Sequence, residues 1–263
     1  MNKSLVQRQF GAHAQSYATS PGHAKGASLG RLIELVRPQP HWRALDVATG
    51  AGHTALAFAP HLASIIASDL TEEMVQEAGK LAAAKGCSNV RTARADAEAL
   101  PFPDAGFDLV TCRIAAHHFN DVATFLAEAF RVLRPGGTLA LVDNITPDAE
   151  STTGFSAAEL GEAAHAYNAF EKLRDPSHGR CLSMAEWSEL LARSGFSMQH
   201  GERLSKGMEF ASWAQRMGCD AHTVERLRAM LGGTLAPFLK PQWEQDELWF
   251  TLCEAIVIAA KPQ

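Results

Sequence analysis

The chain has 263 residues, 46% of them hydrophobic and 20% charged, with a formal net charge of -5. That length can bury a full core, and the balance is ordinary for a soluble globular protein. The negative charge disfavours nucleic acid held through its phosphates, and no uninterrupted apolar run approaches the ~18 residues of a membrane span. The five cysteines (Cys87, Cys112, Cys181, Cys219 and Cys253) are scattered and never in CxxC spacing. They read as free thiols in a reducing cytoplasm, with neither a disulfide frame nor a zinc knuckle.

The start, "MNKSLVQRQFGAHAQSY", lacks the apolar centre of a signal peptide. Residues 1–38 read as two helices with "SPG" between them, an arm able to act as a lid. From Arg43 to Asp143 one theme repeats: a short apolar, β-branched run ends at a polar residue and a helical pattern follows. Strands are predicted at Ala44–Val47, Ala63–Ser68, Val90–Ala95, Phe107–Cys112 and Thr138–Val142, and helices at Thr54–His61, Glu72–Lys85 and Val122–Leu133. "RPGG" (Arg134–Gly137) reads as a helix stop with a glycine free to take the left-handed position after the cap. Alternating strands and helices mean parallel pairing, and near-continuous apolar strands such as "FDLVTC" mean a sheet covered on both faces. Residues 39–145 thus form an α/β core with Rossmann-like winding. Residues 146–182, polar and partly helical, read as a cap insertion. Residues 183–263 complete the sheet within the same domain: a helix in "MAEWSELLARSGF", helical stretches over Phe210–Trp243, and a final strand in "LWFTLCEAIVIAAKP".

"RALDVATGAGHTALAF" (Arg43–Phe58) places a glycine-rich turn between a strand and a helix, where bare N–H groups suit an anion. Read as G-x-G-x-x-A (Gly50, Gly52, Ala55), it suits a dinucleotide such as NAD. Read as D-x-A-T-G-x-G (Asp46 to Gly52), it suits S-adenosylmethionine. Asp69, ending the second strand, can accept two ribose hydroxyls of either. Asp46 discriminates, because a carboxylate there addresses an ammonium and repels a pyrophosphate. Asp96, in "ADAEALPF", can accept from an adenine amine.

"LDVATGAGHTA", "ASDLTEEMV", "ADAEALPFPDAGFDLVTCR" and "VLRPGGTLALVD", in that order, resemble the class I S-adenosylmethionine-dependent methyltransferases, over about Phe10 to Phe196. The likeness is greatest to the methyltransferase type 11 group, with the ubiquinone/menaquinone C-methyltransferases, although "RIAAHHF" replaces the quinone enzymes' signature after the fourth strand. The resemblance implies a seven-stranded, mostly parallel sheet whose final hairpin strand is antiparallel, with helices on both faces and helical cap elements. It implies S-adenosyl-L-methionine as cofactor, with Asp46, Ala48, Gly50 and Gly52 at the methionine part and Asp69 at the ribose. Asp96 and Ala97 would meet the adenine, Leu70 and Met74 would flank it, and Arg113 would face the sulfonium side. It implies a small-molecule acceptor rather than nucleic acid, for a protein acting alone or as a homodimer.

His117 and His118 lie just beyond the fourth strand, where acceptor meets cofactor, and imidazole titrates near neutral pH. They are the candidate general bases, with Tyr17 and His23 as candidates in the roof. Adjacent histidines do not converge on one ion, so no metal is expected. Tyr167, Phe170, Glu171 and Arg174 share one helical face, and Asp175, His178 and Arg180 follow in a turn. This cap cluster reads either as a salt-bridged anchor or as a site for a polar group of the substrate.

Overall fold

A computed structural model describes residues 3–18, 26–148 and 152–263. Among the described residues, two helices precede the sheet: α1 (Lys3–Ala18) and α2 (Ala27–Val36). "SPG" and His23 lie outside the described residues, as does the side chain of Tyr17, whose backbone belongs to α1. The repeating unit follows as β1 (Arg43–Val47), α3 (His53–Phe58), β2 (Ser64–Asp69), α4 (Glu72–Ala84), β3 (Val90–Arg94), β4 (Phe107–Arg113), α5 (Val122–Val132) and β5 (Leu133–Asn144). The cap carries α6 (Ala157–Arg174). After it come α7 (Met184–Arg193), β6 (Ser197–Glu209), α8 (Phe210–Gln215), α9 (Ala221–Gly232), α10 (Ala236–Leu239), β7 (Gln242–Glu244) and β8 (Glu247–Ala260).

The sheet runs β3-β2-β1-β4-β5-β8-β6. β1 to β5 pair in parallel, and β8 runs antiparallel between β5 and β6. Those seven strands are the ones the resemblance implies. The short β7 adds an eighth, folded onto β8 through Gln245 and Asp246, both at positive φ (47° and 68°). Two consecutive left-handed residues make the tight turn whose twist suits a hairpin.

Alternation sorts the strands onto two cores. Leu45, Val110 and Leu139 pack under Phe125 of α5 and Trp187 of α7. Ala44, Ile65 and Ala140 pack under Leu32 of α2 and Phe58 of α3. A third core joins α6, α8 and α9 to β8 through Phe170, Trp213, Leu227 and Phe250. Both α6 and α7 start with a capping box, Ser156 with Glu159 and Ser183 with Glu186, so their first N–H groups are satisfied by the chain itself.

One expectation needs correcting. α5 does end before "RPGG", but no glycine caps it. Leu133 is already extended (φ -72°, ψ 137°), and the left-handed glycine is Gly136 (φ 74°), inside the first residues of β5. The chain leaves the helix directly into the strand because Leu133 pairs with Phe107 of β4.

The order of strands reverses between β1 and β4. An open parallel sheet binds ligands beyond its carboxyl ends at such a point.

Candidate functional site

The loop from β1 to α3 is shaped by a buried acid. Asp46 has no exposed surface. Its Oδ2 accepts from the Thr49 hydroxyl (2.5 Å) and the Ala55 N–H (3.2 Å), and its Oδ1 accepts from the Thr111 hydroxyl (2.6 Å). Burial pushes its pKa up to about 6, against the opposing pull of those hydroxyls and of the Arg113 charge. Asp69, at the end of β2, accepts from the Gly50 N–H and the Thr71 N–H, both at 2.9 Å. Burial raises its pKa too, and the backbone donors oppose the rise.

Three loop residues take left-handed conformations: Ala48 (φ 52°), Gly50 (φ 56°) and Gly52 (φ 89°). For Ala48 this costs about 1–2 kcal/mol, so alanine at the first glycine position of the motif is strained. Ile114, just past β4, is also left-handed (φ 53°), an outlier for a β-branched residue. Such strain collects at functional sites. The two glycines differ in surroundings. A Cβ on Gly50 would have nothing within 4 Å, whereas one on Gly52 would stand 3.0 Å from the Ala78 Cβ and 3.3 Å from its Cα. Gly50 therefore leaves room for a ligand to reach its backbone, and Gly52 lets α4 pack close. Gly50→Ala is expected to cost about 1 kcal/mol of stability, and Gly52→Ala about 1–3 kcal/mol more, because overpacking adds to the backbone strain. Urea midpoints of the two variants check this, and equal midpoints would contradict it.

The loop forms one wall of a cleft enclosing about 990 Å³, its mouth included. Ala48, Gly50, Asp69, Leu70 and Met74 line it, together with Asp96, Ala97, Arg113 and His118. Asp46 and Gly52 do not line it; they sit behind the loop and set its shape. His53 and Thr54 also face the cleft, and Arg113 is fastened there by its Nε donating to the Thr54 hydroxyl at 3.0 Å. α1 closes the far side with Lys3, Val6 and Phe10. Lys3 Nζ pairs with Asp96 (2.5 Å) and Glu98 (2.9 Å). The cap insertion contributes nothing to the lining, so the described roof of this cleft is α1 alone.

Residues 45–141 match a methyltransferase domain family. The chain is 38% identical over 212 residues to the uncharacterized methyltransferase YcgJ of Bacillus subtilis, spanning 81% of this chain and 79% of that protein. The chain belongs to the class I S-adenosylmethionine-dependent methyltransferases. The solved structure of YcgJ superposes with a TM-score of 0.81 at 33% identity, over 90% of this chain and 98% of that one. A demethylmenaquinone methyltransferase of Deinococcus radiodurans is 38% identical over 146 residues, 52% of this chain and 59% of that protein. S-adenosylmethionine is the cofactor of this methyltransferase. The open approach to Gly50 and the carboxylates of Asp69 and Asp96 on the cleft wall fit its carboxylate, ribose and adenine amine respectively.

Beyond β4 the methyltransferase places its histidines in different electrostatic states. His117 is buried; its Nδ1 bonds to Asp143 Oδ1 at 2.5 Å, and its backbone N–H donates to Asp143 Oδ2 at 2.8 Å. Burial lowers the His117 pKa, but the Asp143 charge and hydrogen bond outweigh it, and the net shift is upward. His118 stands beside it with ring centroids 4.2 Å apart. Its Nδ1 bonds to the Ser177 carbonyl at 3.0 Å. A carbonyl only accepts, so Nδ1 carries the proton and Nε2 keeps its lone pair. Burial, then the charge of His117, push the His118 pKa down to about 4. Its ring meets Phe10 of α1 edge-on at 4.9 Å.

The cap cluster divides. Arg174 lies over the Trp213 ring (4.5 Å) and donates to the Trp213 carbonyl (3.0 Å), an anchoring role. Asp175 accepts from the Ser177 N–H and hydroxyl, shaping the turn that touches His118. His178 bonds to Asn168, and Arg180 pairs with Glu186 at the surface. Tyr167 and Glu171 turn inward. The sequence did not point to Lys3, Val6, Asp143 or Ser177. Lys3 and Asp96 are 93 residues apart, and no local pattern marks such a contact. Asp143 carried a signal, as the acid closing "LALVD", that becomes meaningful only once β5 is set beside β4.

Proposed function

We propose that this methyltransferase alkylates a small molecule by direct in-line transfer, with His118 as general base. The observation that carries the reading is the placement of His118: on the cleft wall, its Nδ1–H committed to the Ser177 carbonyl and its Nε2 3.9 Å from Asp175 Oδ2, beyond hydrogen-bond reach. Two adjacent titratable groups pushed in opposite directions mark a division of acid–base roles. Burial first, and then the charge of His117, push His118 toward its neutral form.

The cofactor supplies a methyl group on an activated sulfonium. The chain's part is to orient, to exclude water and to remove a proton. Asp69 would accept the ribose hydroxyls, Asp96 the adenine amine, with Leu70 and Met74 against the ring. The open backbone at Gly50 and the Arg113 guanidinium would face the methionine carboxylate and the sulfur side. An acceptor seated on this wall would give up its proton to His118 Nε2 as it takes the methyl group that the cofactor would supply. A base of low pKa is in its proton-accepting form at neutral pH, and it suits an acceptor whose proton becomes strongly acidic as it attacks. α1, through Phe10 and Val6, keeps this face of the cleft apolar.

The relative acting on demethylmenaquinone shares about half of this chain, and a quinone acceptor does not follow from it. Calorimetry tests the cofactor reading: S-adenosylhomocysteine is expected to bind with micromolar affinity and NAD not to bind. Tight NAD binding without S-adenosylhomocysteine binding would end it. Release of S-adenosylhomocysteine in the presence of a small-molecule pool tests the transfer itself.

A further inference from the structure

α1 lies over the cleft with little burial of its own. Among its described residues Ala14 alone has a buried side chain, whereas the shorter α2 buries Ser28, Leu29, Leu32 and Val36. What holds α1 in place is a series of contacts along one side. A Cβ on Gly11 would stand 3.2 Å from Glu73 Oε2, so the helix comes close against α4 there. Gln7 Nε2 donates to the Leu70 carbonyl at 3.3 Å. Lys3, the first residue of the helix, ends on two acids: its Nζ is 2.5 Å from Asp96 Oδ2 and 2.9 Å from Glu98 Oε2.

Lys3, Val6 and Phe10 follow one another at i, i+3 and i+7, and these are the residues that α1 gives to the cleft lining. From Lys3 to Phe10 the helix rises about 10 Å. It therefore reaches from Asp96 at one end of the cleft to the His118 ring at the other, which Phe10 meets edge-on.

The acids under Lys3 differ in their other attachments. Glu98 Oε1 accepts from the Asn120 and Asp121 N–H groups at 2.6 and 3.1 Å, so Glu98 is fixed whether or not Lys3 is present. Asp96 Oδ1 accepts from the Glu98 N–H at 3.0 Å, and Oδ2 is the oxygen that Lys3 takes. Lifting Lys3 would open one oxygen of Asp96 and leave the rest of the turn as it stands.

We propose that Lys3 is a built-in competitor of the cofactor: its ammonium occupies the carboxylate that would take the adenine amine and latches α1 over the cleft, and the cofactor enters by displacing it. This rests on the assignment of Asp96 to the adenine amine given above. An ammonium and an exocyclic amine are both N–H donors, and Asp96 cannot turn the same oxygen fully to each. The latch is a light one. The Lys3 side chain is 38% exposed and that of Asp96 29%, and ion pairs open to water to this degree hold weakly and are screened by salt. A latch of this strength lowers the apparent affinity by the fraction of molecules in which it is closed.

The test is surface plasmon resonance of S-adenosylhomocysteine on the full-length enzyme, which reads association and dissociation separately. Lys3→Met keeps the length of the side chain and removes the charge. It is expected to associate about three- to tenfold faster, with unchanged dissociation and an affinity tighter by the same factor. Glu98→Gln, which leaves α1 intact and weakens one of the two pairs, should show a smaller gain in the same direction. Raising the salt from ~0.05 M to ~0.5 M should speed association with the wild type and leave Lys3→Met unchanged. Association no faster in Lys3→Met, or an affinity unchanged or weaker because dissociation quickens, would overturn the inference, since Lys3 would then serve to retain the ligand. S-inosylhomocysteine, which carries a carbonyl in place of the amine, checks the assignment beneath it. Equal binding of the two ligands by the wild type would remove the adenine reading of Asp96 itself.

Discussion

His118→Ala is expected to lower methyl transfer by about 10²- to 10⁴-fold, the usual contribution of a positioned general base. His118→Asn is the informative companion. Its amide can still donate to the Ser177 carbonyl, so the turn stays in place, but no basic nitrogen remains. Both variants should bind S-adenosylhomocysteine within about threefold of wild type, because His118 makes up only part of one wall. The pH profile supplies the second arm. His118 faces the charged His117 and Asp175 around the ring, with His178 beyond, and its pKa is pushed down to about 4. The base is then in its working form at all higher pH, and the rate should not fall through the ordinary histidine range near 6.5. The sign for stability runs the same way. A histidine whose folded pKa is depressed stabilises the fold above its unfolded pKa of about 6.5, and that contribution is lost as pH falls through about 4. Full activity from His118→Asn, or a wild-type rate with its midpoint near 6.5, would remove His118 from the mechanism.

Asp69→Ala should weaken S-adenosylhomocysteine binding by about 1.5–3 kcal/mol, roughly 10- to 100-fold. Two losses combine. The carboxylate can no longer accept from the ribose hydroxyls. It also stops holding the Gly50 and Thr71 N–H groups, which organise the loop before any ligand arrives. Asp69→Asn separates these. Its carbonyl oxygen can still accept from one N–H while its NH2 faces the other, so it should keep more of the loop's order than Asp69→Ala and still bind more weakly than wild type. Calorimetry with both variants is the measurement, and unchanged affinity in Asp69→Ala would show that this carboxylate holds neither the ribose nor the loop.

The sequence by itself determined the α/β winding, the loop after β1 and the identity of the cofactor. The first two depend on short-range chemistry, runs of apolar β-branched residues and glycines at left-handed positions; the third depends on the resemblance of four motifs to a known family, with the acids at the strand ends in support. Leu70 and Met74 could be named because the resemblance to the family carries them over by motif position, and Asp96 because it follows a strand whose end the parallel sheet brings to the same edge. β6 was harder to see. "SMQHGERLSKGME" is polar because it is an edge strand with one side in water, and it is a strand only because β8 pairs with it along its length. Tertiary structure alone decided three further things. It put Asp46 behind the loop as an organiser rather than on the cleft surface, since Thr49, Thr111 and Ala55 together enclose it. It brought Lys3 of α1 onto Asp96 across the mouth of the cleft. And it pushed two adjacent, chemically identical histidines in opposite directions, because only the packed sheet sets Asp143 against His117 and only the folded cap turn buries His118 against the Ser177 carbonyl.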